Sequence, residues 1–249
     1  MDPTAAPPAL LDALAAVFTA NGLDPRAWAL GLARATPAVT LVPAFGLSAV
    51  PVPTRLALGL ALGACIAPAL AGVASSEGLL VVELAKQAFL GLPVALVAAL
   101  SIYVATIAGG VVDDLRGGRE LVGLPVLPES LPPVSVLFGL LACVAFLEGG
   151  GAARVAAALA SPVLEGRFSW PAVVAAFSAS IGLAFAIAAP LVVAAVLLEA
   201  ASALIARAAT PAFIAPVIAP LKSVALLGVL ALVFERIAEL VAVLAAGAP

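Results

Sequence analysis

Histidine is absent from this chain of 249 residues, cysteine occurs twice, and only 10% of the residues carry charge. Each scarcity excludes a class of chemistry. Without histidine, the usual general base and the usual metal ligand are both missing. Cys65 and Cys143 lie inside apolar runs with no CxxC spacing, so they read as small core residues and not as a disulfide or metal pair. A net charge of −3, with 11 Lys and Arg against 14 Asp and Glu, leaves no basic surface for nucleic acid. An intramembrane enzyme would have to be assembled from Ser101, Ser178, Ser180 and a few acids, and neither catalysis nor a cofactor is expected. No Ser/Gly-rich or highly charged linker divides the chain, so residues 1–249 read as a single polytopic unit. The opening residues do not read as a cleavable signal: Asp2 stands where a basic residue is expected, and Asp12 interrupts the apolar stretch.

What is abundant is apolar. Hydrophobic residues supply 65% of the chain and the mean hydropathy is +1.27, so a water-soluble globule would expose more apolar surface than water tolerates. The charges fall in short islands. Between them run the charge-free intervals 35–54, 56–76, 87–112, 130–147 and 168–198, with shorter ones at 208–221 and 223–234. A helix crosses the hydrocarbon core with roughly 20 apolar residues at about 1.5 Å each, a length the first five intervals reach or approach. They are rich in Ala, Leu, Val and Gly and lack the period-2 alternation of a barrel strand, which predicts an all-α membrane-associated chain. Two helical blocks, about 34–112 and 135–240, flank the polar segment 113–133. Lys and Arg are spread too evenly for the positive-inside rule to set an orientation.

Proline, with 21 copies, is unusually frequent for so apolar a chain. Pro37, Pro43, Pro51 and Pro53 predict that 36–54 is partly broken or extended. Pro68, Pro93 and Pro190 sit inside runs, where each removes a backbone donor and kinks or ends a helix; Pro211, Pro216 and Pro220 break the region after Arg207. Freed carbonyls in lipid need cover, so these helices are expected to pack against partner subunits. Gly59 and Gly63 form a GxxxG seam, and Ala-rich faces surround Ala194 and Ala201; both would allow close backbone approach. A base composition favouring Ala and Gly is the competing explanation.

Charges inside apolar territory cost about 3 kcal/mol each on insertion scales, so each needs a partner or a wet surface. Glu83 and Lys86, three apart, are either an ion pair or the wet end of a helix. Glu199 and Arg207, two turns apart, are expected to pair with other segments or other chains. Lys222 is either an interfacial snorkelling residue or half of an intersubunit ion pair. The densest island, 113–120, is a solvated loop or one projecting into an aqueous pore, with Gly117 and Gly118 supplying backbone freedom.

The order of these features resembles a known family. Arg34-(x)2-Pro37-(x)5-Pro43-Ala44-Phe45-Gly46, Val50-Pro51 and Arg55 are similar to the opening signature of the FliR/SctT family. Lys86-Gln87-Ala88-Phe89-Leu90-Gly91-Leu92 resembles its Lys-Glu-x-x-x-Gly-Leu stretch. Ala108-Gly109 through Asp113, Arg116 and Gly117 resembles its Ala-Gly-x-x-x-Asp-x-x-Arg-Gly element. Phe146-Leu147-Glu148-Gly149-Gly150 with Ser161, then Ala189-Pro190, Glu199, Arg207 and Pro220-Leu221-Lys222-Ser223, follow in the family's order. The similarity covers about 34–240. Departures are Gln87 for the usual Glu, Ala95 for a second Gly, and Ala212-Phe213-Ile214 for a polar stretch.

The resemblance implies an integral subunit of a type III secretion export apparatus, of a flagellum or an injectisome, in the bacterial inner membrane. Its kinked helical hairpins would pack with sister subunits of the FliP/SctR and FliQ/SctS kinds into a helical export-gate complex that passes unfolded secreted proteins. FlhB/SctU-like switch and export-ring components would be further partners. The segment after the Asp-x-x-Arg-Gly element would be a channel plug, carried here by Arg116, Gly117, Gly118, Leu121, Val122, Leu124, Val126 and Leu127. Intersubunit or structural roles would fall to Arg34, Pro43, Gly46, Pro51, Arg55, Glu83, Lys86, Asp113, Gly149, Gly150, Pro190, Glu199, Arg207 and Lys222. A polytopic small-molecule transporter is the alternative, with Pro93 and Pro190 breaking corresponding helices of the two blocks.

Overall fold

The computed structural model describes residues 24–45, 51–74, 79–117, 121–122, 131–161, 170–208 and 215–247. Seven α-helices account for nearly all of them: α1 (Pro25–Leu41), α2 (Val52–Ala74), α3 (Leu80–Arg116), α4 (Pro133–Glu148), α5 (Gly151–Ala160), α6 (Trp170–Ala208) and α7 (Ala215–Gly247). Among the described residues the only β pairing is one antiparallel bridge, Val122 with Leu131. The all-α membrane class expected from the apolar runs is the class observed.

The long helix α3 is the mast of the fold. α1, α4 and α6 pack along it, α2 packs on α1, and α7 packs on α6 and α4. The main core follows α3 through Val94, Ala98, Ile102, Ala105 and Val112, against Ala38 of α1, Phe138 of α4 and Ile187 of α6. Alanine dominates this seam, which lets helix axes approach closely and maximises backbone contact where apolar burial alone gives no advantage over lipid. Among the described residues three helices are long and apolar enough to cross a membrane, Val52–Gly72, Leu80–Arg116 and Trp170–Ala208. A fourth span is available if α4 and α5, bent by 63° at their junction, count as one.

The prolines behave differently from expectation. Pro37, Pro68, Pro93, Pro190 and Pro220 all lie inside helices that continue through them. Each leaves one carbonyl without its donor, a local cost that a long, packed helix absorbs. The expected break in 36–54 begins only at Val42, whose extended backbone (φ −79°, ψ 116°) leads into a 3-10 turn at Pro43–Phe45. Thr36 and Thr40 tighten the last turns of α1, their hydroxyls donating to the carbonyls of Leu32 and Thr36 at 2.8 and 2.9 Å.

The glycine seam is also used differently. Built onto Gly63, a Cβ would stand 2.8 Å from the backbone nitrogen of Leu32; built onto Gly31, it would stand 2.5 Å from the carbonyl oxygen of Gly63. Gly59 faces the Leu32 side chain. The GxxxG seam of α2 is therefore spent on α1 within the chain and not on a partner subunit.

Candidate functional site

Three polar nodes interrupt the apolar framework, and each draws together motif residues distant in sequence. The first centres on Arg34 of α1, which is only 3% exposed. Its Nε donates to Gln87 Oε1 of α3 at 2.7 Å, and its Nη1 donates to the carbonyls of Leu159 at 3.0 Å and Ser161 at 3.5 Å. The guanidinium thus caps the C-terminus of α5, where unsatisfied carbonyls and the negative end of the helix dipole favour a cation. Burial pushes its pKa below the ordinary arginine value, yet a guanidinium stays charged at any physiological pH. The approach of α1 to α3 here is close enough to require glycine: a Cβ on Gly91 would fall 2.1 Å from the Arg34 carbonyl oxygen. The opening motif and the Lys86–Leu92 motif are two halves of one joint.

The second node is a corner between α3 and α4. Asp113, in the last turn of α3, is fully buried. Its Oδ2 accepts from the backbone N–H groups of Val134 and Ser135 at 2.9 and 3.1 Å, and its Oδ1 accepts from Arg116 Nε at 2.8 Å. Asp113 therefore caps the N-terminus of α4 from another helix, supplying what Pro132 and Pro133 cannot. Gly117 ends α3 in the left-handed region, φ 71°, with its N–H returned to Asp114 O. Gly109 admits the first turn of α4: a Cβ there would meet the carbonyl oxygen of Val134 at 2.5 Å. Ser135 Oγ closes the corner by donating to Thr106 O at 2.8 Å. Beyond it, Val122 and Leu131 exchange backbone hydrogen bonds of 2.8 and 3.3 Å, so the polar segment returns on itself.

The third node joins α6 to α7, where Lys222 Nζ pairs with Glu199 Oε2. The partner sought for both residues lies in the same chain, which corrects the expectation of an intersubunit or snorkelling lysine: α7 doubles back along α6 and brings positions 23 apart into register. The Glu199 side chain remains 65% exposed.

The remaining motif positions are mostly structural in placement. Phe146 meets Phe45 edge-on at 6.2 Å, and Gly151 packs over the Phe146 ring, where a Cβ would stand 2.5 Å from its edge. Gly149 continues the last turn of α4, and Gly150, φ 72°, reverses the backbone into α5. Pro43 is buried in the 3-10 turn, and Pro51 O accepts from Thr54 and Arg55 N–H to start α2. Arg55 borders a groove of about 290 Å³ between α1 and α2. Pro190 and Arg207 lie on exposed parts of α6. Glu83 and Lys86 form no ion pair: Glu83 Oε2 is buried without a hydrogen bond among the described residues, and Lys86 is exposed. Of the expected plug, Leu121 is exposed and Val122 is bridged; Gly118, Leu124, Val126 and Leu127 lie outside the described residues, as does Gly46.

Comparison with known proteins settles the class. The family model for bacterial export proteins, family 1, matches residues 26–247. The chain belongs to this family, the FliR/SctT family of the type III secretion export apparatus. No curated protein matches it. As a family member with apolar spanning helices, the chain is a membrane-integral component of a bacterial export apparatus that associates with other subunits of that apparatus. The family is one of structural components, not of known enzymes.

Several residues that organise the nodes had no separate role in the sequence reading. Thr106 and Ser135 tie the α3–α4 corner, and Leu159 contributes only its carbonyl. A detectable signal existed for two others: Gly91 and Gly109 are glycines in helix interiors, where glycine is costly unless another backbone needs the space.

Proposed function

We propose that this family member is a core export-gate subunit that conducts unfolded protein across the bacterial inner membrane and performs no catalysis. It would build the channel with sister subunits of the FliP/SctR and FliQ/SctS kinds, in contact with FlhB/SctU-like and export-ring components. The segment 113–133 would rest in the passage as a plug. The observation that carries this reading is the unequal burial of the spans. α3 has more than half of its apolar window buried by its own chain, whereas α6 leaves Val174, Phe177, Ile181 and Phe185 open along one side. These residues recur at helical spacing, and the same helix carries the exposed carboxylate of Glu199. Because the chain belongs to an export apparatus of several subunits, a sister subunit is the cover this side would take.

A transporter reading finds less support. The groove of about 240 Å³ between α3, α6 and α7 has Ser101 and Ser180 as its polar side chains, and the Ser101 hydroxyl is spent on Ala98 O at 2.7 Å. Too few polar groups converge there to orient a solute.

Co-expression with the sister subunits, followed by native mass analysis of the purified membrane fraction, tests the proposal. A stable stoichiometric complex is expected. A chain that purifies alone and folded from the same cells would end this reading.

A further inference from the structure

We propose that the groove between α1 and α2 is a binding site for an acidic phospholipid, with one acyl chain in the groove and the phosphate on Arg55. This needs only that the chain is integral to a membrane and does not rest on the export-gate reading.

α1 and α2 are in backbone contact where Gly31 meets Gly63. Where that contact ends, they leave a groove of about 290 Å³ along 32–40 of α1 and 52–59 of α2. Gly59 lines it without a side chain, while Val39, Val52 and Leu56 supply apolar walls, the last two exposed. The two hydroxyls on its border are spent. Thr36 Oγ1 donates to Leu32 O at 2.8 Å, and Thr40 Oγ1 donates to Thr36 O and Pro37 O at 2.9 and 3.1 Å. Arg55 is the one charged side chain among the described lining residues. Its guanidinium has five N–H donors in a planar fork, enough to take a phosphate beside the contacts it already makes within the chain.

Two further observations select a lipid. The span Val52–Gly72 has 21 residues. At about 1.5 Å each it matches the thickness of the hydrocarbon core. Arg55 therefore lies within about one turn of the span's end, in reach of the headgroups, and the groove runs from it toward the hydrocarbon. The stretch 25–76, which builds both helices, contains Arg26, Arg34 and Arg55 but no Asp or Glu, so no carboxylate of this hairpin competes for the guanidinium. A soluble anion would use Arg55 and leave the apolar walls uncovered. A peptide would bring backbone polar groups into a groove whose hydroxyls are already committed. A zwitterionic headgroup would bring its own cation to the arginine. An anionic headgroup with an acyl chain satisfies both ends.

The test uses the full chain purified in detergent, with native mass spectrometry counting the lipids retained as phosphatidylglycerol is titrated in. One molecule should bind ahead of the rest. Losing a charge-assisted phosphate contact weakens binding by about tenfold, so Arg55→Ala should lower the affinity of that first molecule by about this factor. Arg55→Lys, a point charge without the fork, should lower it by less. Thr36→Phe, on the exposed rim, keeps Arg55 but fills the groove; it should lower retention as well, and it carries the test if Arg55→Ala does not fold. Phosphatidylcholine, oleate and inorganic phosphate are the comparison ligands, each expected to bind more weakly. Phosphatidylcholine retained as tightly as phosphatidylglycerol would reduce the site to ordinary lipid solvation. Oleate or inorganic phosphate binding as tightly would remove the phospholipid as its occupant. Unchanged affinity in Arg55→Ala or in Thr36→Phe would overturn the assignment.

Discussion

α3 and α6 are nearly the same object in sequence, spans of 37 and 39 residues with an internal proline and a basic residue in the last turn. They are not the same object in the fold. Of the most apolar window of each, 56% is buried within the chain for α3 and 28% for α6. α3 carries interior glycines at Gly91 and Gly109, each pressed against another backbone, whereas a Cβ on Gly182 of α6 would meet nothing within 4 Å. The difference teaches that hydropathy selects helices for the membrane but does not decide what covers them. Steric fit and buried polar joints make α3 an internal element, whereas the joint of Glu199 with Lys222 on α6 is exposed and leaves that helix open to other molecules.

The contrast breaks most sharply at Gly91. Gly91→Leu would drive a side chain into the Arg34 backbone, so thermal unfolding in detergent or nanodiscs should register a loss of about 3 kcal/mol, the upper end of ordinary overpacking. A melting curve like that of the parent would mean α1 does not dock there.

The Arg34 joint comes next. Arg34→Met strands the Gln87 amide and the carbonyl end of α5, and should cost about 2 kcal/mol. Gln87→Glu should act in the opposite sense. The guanidinium is already desolvated, and a carboxylate at the same 2.7 Å contact turns a bond charged on one side into an ion pair, for a gain of about 1 kcal/mol. Loss of stability in the glutamate variant would show that the new buried charge is not compensated by Arg34.

The smallest effect on the chain itself is expected on α6. Replacing Val174, Phe177 and Phe185 together by serine should change the unfolding of the isolated chain by less than about 0.5 kcal/mol per site, since these side chains are exposed. The same triple variant should fail to co-purify with the sister subunits. Should it unfold the chain more than Gly91→Leu does, the division between an internal and an external span would collapse.

Much of this architecture was readable from residues alone. Helicity, the long spans and the polar interruption near 113–133 follow from charge spacing and the lack of alternation, because lipid demands internally satisfied backbones. The motif order brought Arg34, Gln87, Asp113 and Gly150 forward as a set. What could not be read was pairing. Gly59 and Gly63 announce a close helix contact but not whose helix, and α1 proved to be the partner. Glu199 and Lys222 each announced a missing partner, yet nothing in a uniformly apolar hairpin shows that its two arms align them. The prolines misled because propensity prices the broken bond and not the packing that keeps a long helix continuous.

The cap that Arg34 places on α5 has a consequence for biogenesis. Arg34 and Gln87 leave the ribosome well before Leu159, which follows Arg34 by 125 positions. At ordinary elongation rates that interval lasts on the order of ten seconds. Throughout it, the guanidinium lacks its α5 acceptors, which are supplied only when Leu159 and Ser161 arrive. Until then Gln87 is the one described partner already made, so the desolvation cost of Arg34 is expected to favour a hydrated surrounding for the first half of the molecule.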